Sequence, residues 1–153
     1  MKRKLFVPLI LIAFITGISG SCSLMNSELI PEGRGLALMK SYNKLEAAYN
    51  EEAAMPNLSD NYKKILVQKR KGLIGLFYAI TMYNDYVDVG YVKAETLNKM
   101  YEYYVNIPNV PFKSIVEIYE EYVKTGIIDI YLMDSILEDV IKQLTAWALK
   151  DIM

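Results

Sequence analysis

The chain has 153 residues, 17 of them basic and 18 acidic, which is enough for one domain with a real core, and no composition shift marks a second. It contains no histidine and a single cysteine, which excludes Ser-His-Asp and Cys-His nucleophile systems, paired Glu-x-x-His metal ligands and structural zinc. No cofactor is expected.

Lys2-Arg3-Lys4 opens the chain, an apolar run follows from Leu5 to Ile15, and Ser19-Gly20-Ser21 leads into Cys22. Leu5 to Gly17 holds about 13 residues and contains Pro8, so at about 1.5 Å per residue it falls short of a hydrocarbon core of about 30 Å. A basic start, a short apolar segment and small residues before the only thiol resemble a bacterial lipoprotein signal. That resemblance covers residues 1 to 22. It implies that residues 1–21 are removed and that Cys22 receives a diacylglycerol. The domain would then sit in the cell envelope, anchored to a membrane outside the cytoplasm. The lipobox position three residues before the cysteine, usually Leu, Val or Ile, is Ser19 here, with Ile18 one step earlier. Ser19 and Ser21 also suit an ordinary secretory site, and an uncleaved anchor is the third reading; all three export the domain. A lone cysteine makes no internal disulfide, so packing alone must hold the fold. Loss of residues 1–21 leaves a formal balance of about −4, which argues against a nucleic-acid partner.

Residues 22–35 are small, polar and broken by Pro31, Gly33 and Gly35, the composition of a tether. The domain is expected over residues 36–153 as an all-α bundle of about five helices. Leu38, Tyr42, Leu45 and Tyr49 form the stripe of a first helix that ends before Pro56. Ser59 or Asp60 caps a second, running from about Asn61 to Tyr86, with apolar positions at Tyr62, Ile65, Leu66, Leu73, Leu76, Phe77, Ile80 and Tyr83. Val87 to Tyr91 reads as a short extended link around Gly90. A third helix carries Leu97, Met100, Tyr101, Tyr104 and Val105 and stops at Pro108. Pro111 opens a fourth, with Ile115, Ile118, Tyr119, Tyr122 and Val123, which Gly126 caps. Asp129 to Ile152 completes the chain with a wide apolar face that includes Tyr131, Leu132, Ile136, Val140, Leu144 and Trp147.

The third and fourth helices align at an offset of 18, Thr96 to Val105 against Ser114 to Val123. Amphipathic helices share such spacing in any case, and helical repeats normally recur at longer periods in at least about three copies.

Ser41-Tyr42-Asn43-Lys44, Ser59-Asp60-Asn61 and Lys124-Thr125-Gly126 follow the order S-x-x-K, S-D-N and K-T-G, a pattern similar to that of penicillin-recognising serine enzymes. That fold needs a sheet, which this pattern of helices does not offer. Each tripeptide also has a local reading: mid-helix, N-cap and helix end. The chain is therefore not read as an enzyme. Asp85 with Asp88, and Asp134 with Glu138 and Asp139, lack calcium-loop spacing and read as solvated faces. Lys63, Lys64, Lys69, Arg70 and Lys71 are the one basic cluster, read as the solvated face of a long helix with lipid head groups as the alternative partner.

The 13 tyrosines carry the remaining signal. Tyr101, Tyr103, Tyr104, Tyr119 and Tyr122 crowd two successive helices, and a ring with a hydroxyl suits wet interfaces. Tyr103 should face water, away from Tyr101 and Tyr104; the others either form an interaction surface or pack the core with hydroxyls at its rim. The chain reads as a membrane-anchored exported lipoprotein serving as a helical protein-interaction or assembly module. Its partners are the membrane, through Cys22, and an exported protein or a second copy of itself. The alternative is a carrier of an apolar small molecule or lipid in a pocket lined by Tyr and Met.

Overall fold

A computed structural model describes residues 32–150, the side chains of 148–150 excepted. The signal segment, Cys22 and the tether up to Pro31 lie outside the described residues, as does the side chain of Leu149. Five α-helices and no strand occur among the described residues: α1 Arg34–Ala53, α2 Asp60–Val89, α3 Ala94–Asn106, α4 Lys113–Thr125 and α5 Ile130–Lys150. This is the all-α arrangement of about five helices that the periodicity predicts. No helix among the described residues is long and apolar enough to cross a membrane.

The 30-residue α2, about 45 Å long at about 1.5 Å per residue, is the axis on which the others pack. The side chain of Ser59 accepts the N–H of Tyr62 at its start. At its end Gly90 takes φ 78°, a left-handed cap that glycine adopts without strain, and returns its N–H to the Tyr86 carbonyl at 2.9 Å. The helix therefore runs on to Val89, and the extended link expected over Val87–Tyr91 shrinks to the residues after Gly90.

Buried on α2 are Leu66, Leu73, Leu76, Ala79, Ile80, Met82 and Tyr83. All of these but Leu66 meet Leu38 of α1, Met100 of α3, Ile115 and Tyr119 of α4, and Met133, Leu137, Val140 and Leu144 of α5 in one core. Each fully buried aliphatic contributes about 1.5–3 kcal/mol of transfer free energy. Two glycines let neighbours approach α2 closely. A Cβ on Gly72 would stand 2.8 Å from the Phe112 ring, and one on Gly75 2.6 Å from the Tyr103 hydroxyl.

Leu66, Leu73, Leu76, Ile80 and Tyr83 of α2 and Val140 and Leu144 of α5 are buried as predicted, but each face shifts at its edge, and that of α3 is turned. On α2 Ile65 is exposed at the rim and Lys69 is inside. On α5 the buried stripe is Met133, Leu137, Val140 and Leu144, which leaves Tyr131 and Leu132 outside. On α3 the core face is Thr96, Met100 and Tyr103. These positions match Ile115, Tyr119 and Tyr122 of α4 at an offset of nineteen, so the sequence alignment at eighteen pairs buried positions with exposed ones.

Candidate functional site

The five tyrosines singled out from the sequence separate into two groups. Tyr103 is 5% exposed, whereas Tyr101 and Tyr104 are 57% and 42% exposed, the reverse of the predicted orientation. The reason is the notch at Gly75: without a Cβ there, the Tyr103 ring lies across α2 and its hydroxyl donates to the Lys71 carbonyl at 2.8 Å. Burial pushes the Tyr103 phenol up to about 12. Tyr119 and Tyr122 are also interior. The Tyr122 hydroxyl accepts the Val92 N–H at 3.0 Å, and its ring meets Tyr86 edge-on at a centroid distance of 6.2 Å. These three tyrosines tie α2, α3 and α4 together and belong to no surface.

What faces outward is a second apolar stripe on α3. Tyr101, Tyr104 and Val105 stand at i, i+3 and i+4 on one side of the helix, all exposed. The Tyr104 hydroxyl donates to the Glu120 carboxylate of α4, which raises the Tyr104 pKa and limits where the ring can point. The stripe thus offers two aromatic faces and a β-branched side chain with a carboxylate beside them. Glu95 and Lys99 pair at 2.9 Å one turn earlier, holding the Glu95 carboxyl below its ordinary value and the Lys99 ammonium above it.

A polar site absent from the sequence reading lies between α1, α2 and α5. Glu52 and Lys69, with side chains 7% and 5% exposed, form an ion pair at 2.6 Å, and Tyr62 donates to the same carboxylate oxygen at 3.2 Å. The pair lines a cleft of about 260 Å³, open mouth included, with Leu45, Tyr49, Leu73 and Leu144. Just outside it, Arg70 lies over the Tyr49 ring at 5.8 Å and 3.8 Å from Glu46. Glu46 also accepts from Tyr42 at 2.8 Å. Burial, and then that bond to Glu46, push the Tyr42 phenol up to about 12. The predicted basic face is therefore divided. Lys69 is buried, Arg70 covers Tyr49, Lys71 donates to the Pro108 carbonyl at 2.8 Å, and Lys63 pairs with Asp60 at 3.4 Å.

Asp85 is likewise not on a solvated face. It is buried and accepts the Thr96 hydroxyl at 2.6 Å and the Lys93 N–H at 3.1 Å. Lys93, the N-cap of α3, makes no side-chain cap of its own, so a carboxylate on α2 caps α3 from outside. Among the described residues no three acidic or thiol groups gather as a metal site.

The three penicillin-enzyme tripeptides do not converge. Ser41 donates to the Ala37 carbonyl on α1, Ser59 caps the start of α2, and Thr125 ends α4 beside the far end of α2. The two ends of α2 are about 45 Å apart. Comparison of the chain with protein-family models, curated proteins and solved structures returns no match.

Proposed function

We propose that the chain is an exported lipoprotein, anchored by lipid on Cys22, whose helical domain docks another exported protein or a second copy of itself through the outer face of α3. The observation that carries this reading is the stripe of Tyr101, Tyr104 and Val105, whose rings and branched side chain stay outside the core. Tyrosine is enriched at interface centres, and each ring supplies a large contact area with only two side-chain torsions to order. The acidic balance of the mature chain accords with a protein partner rather than a nucleic acid.

The carrier reading finds less support. The cleft beside α1 is lined by a buried charged pair and lies half open at the surface, unlike the enclosed apolar cavity that a small apolar ligand needs. The test is the pair Tyr101→Ser and Tyr104→Ser. Both side chains are exposed, so the unfolding free energy in urea should stay within about 1 kcal/mol of the parent. In native gels of detergent-extracted membranes the complex should be lost. A complex of unchanged size and abundance would defeat the reading.

A further inference from the structure

Exposed apolar side chains gather at one end of the bundle. Asn84 lies against Gly35, which brings the start of α1 to the last turns of α2. The bond from Val92 to Tyr122 brings the end of α4 there too, and the short connection after Gly126 starts α5 at the same place. This end exposes Leu36, Val89, Tyr91, Ile127, Tyr131 and Leu132. Scattered exposed apolar residues need no explanation, but six from the ends of four helices and their connections form a patch. The Asp129 carboxylate at the beginning of α5 is exposed and caps that helix, accepting the N–H groups of Tyr131 and Leu132 at 3.1 and 3.0 Å. Around these side chains stand the exposed carboxylates Asp88, Glu95, Glu121 and Asp129 against Lys93 and Lys124, a net acidic set that suits uncharged rather than anionic head groups.

The chain enters the bundle at this same end. Twelve residues lie between Cys22 and Gly35, a reach of at most about 45 Å. We propose that this end of the bundle rests on the lipid bilayer, with Leu36, Val89, Ile127 and Leu132 entering the interface and Tyr91 and Tyr131 at the level of the head groups. The proposal rests on the lipid-anchor reading, since acylation at Cys22 supplies the high local concentration of bilayer that so small a patch requires. Tyrosines at the rim of an apolar patch match the preference of that ring for the membrane–water boundary. Seated so, α3 would present Tyr101 and Tyr104 along the side of the bundle, clear of the lipid.

The experiment uses the full chain, extracted with its lipid and reconstituted into phosphatidylcholine vesicles with brominated acyl chains. Trp147, the only tryptophan, stacks on Phe112 toward the other half of α2 and is replaced by Phe. Ile127→Trp then reports on the patch, and Val67→Trp on the exposed surface near the start of α2. Bromine should quench Ile127→Trp severalfold more than Val67→Trp. That difference should persist from about 0.1 to 1 M salt, over which the Debye length falls from about 10 to 3 Å, because the contact is apolar. If Trp147→Phe unfolds the chain, a polarity-sensitive dye on Ile127→Cys in the otherwise native protein gives the same comparison. Equal quenching at the two positions, in protein whose intact mass shows the lipid, overturns the bilayer assignment and leaves the anchor standing. A mass without lipid overturns both. Crosslinking of Ile127 to a protein in native membranes, with no quenching in vesicles, makes the patch a protein contact and also overturns the assignment.

Discussion

Lys69→Met keeps the aliphatic stem of the side chain and removes its charge, leaving the Glu52 carboxylate at 7% exposure with Tyr62 as its remaining donor at 3.2 Å. Breaking a buried ion pair from one side costs about 3–5 kcal/mol. The open cleft beside the pair admits water to part of it, so the lower figure, about 3 kcal/mol, is expected at pH 7. That is a large share of the 5–15 kcal/mol typical of a domain. Adding Glu52→Met replaces the pair with apolar groups and should restore stability to within about 1 kcal/mol of the parent. Urea unfolding followed by far-ultraviolet circular dichroism at pH 7 measures all three proteins. A single variant within about 1 kcal/mol of the parent would overturn this expectation.

Asp85→Ala removes the one oxygen, Oδ2, that accepts from both the Thr96 hydroxyl and the Lys93 N–H, so it should cost about 2 kcal/mol in urea unfolding and raise amide exchange in the first turn of α3 ahead of the rest. Gly75→Ala drives a Cβ to 2.6 Å from the Tyr103 hydroxyl, and despite the gain of about 1 kcal/mol in helix propensity it should destabilise by about 1–2 kcal/mol net. Tyr103→Phe removes the atom in closest conflict, so the double variant should lose less stability than the two single changes added together. Tyr42 and Tyr103, both pushed up to about 12, keep their protons when folded while the unfolded chain releases them from about pH 10. Their contribution is intact below pH 10 and falls as pH rises toward 12; spectroscopic titration of the phenolates alongside circular dichroism should show the unfolding transition in that window, with a shallower slope in Tyr103→Phe.

Helix number and helix ends were legible because their signals are local. Ser59 and Gly126 act on neighbours three or four residues away and cap α2 and α4 as turn chemistry predicts, whereas Gly90, read as the centre of an extended link, instead caps α2 after Val89. The face of α3 was not legible, because that helix carries two apolar stripes. Leu97, Tyr101, Tyr104 and Val105 are more hydrophobic than Thr96, Met100 and Tyr103, yet the second set is inside. The choice is made by Gly75 on another helix, a notch that admits one aromatic ring. Gly72 and Gly75, three apart in a helix where glycine costs about 1 kcal/mol relative to alanine, are the signal that points to a close approach. The ion pair escaped for a related reason. Seventeen residues separate Glu52 from Lys69, and Lys69 stands in a run of basic residues whose neighbours are exposed. Asp85 reads as a surface acid until α3 returns beside it.

The central claim is that the outer stripe of α3 meets a partner at the membrane. A photoreactive phenylalanine analogue placed at position 104 in the full chain, expressed in its native cells and irradiated, tests it most directly, with the analogue at position 142 on the exposed side of α5 as the control. Here the account predicts a discrete crosslinked product from position 104, identifiable by mass as one partner or a second copy, that disappears with Cys22→Ala and is never seen from position 142. Products of equal yield from both positions, or none from position 104 in protein that carries its lipid, would contradict it.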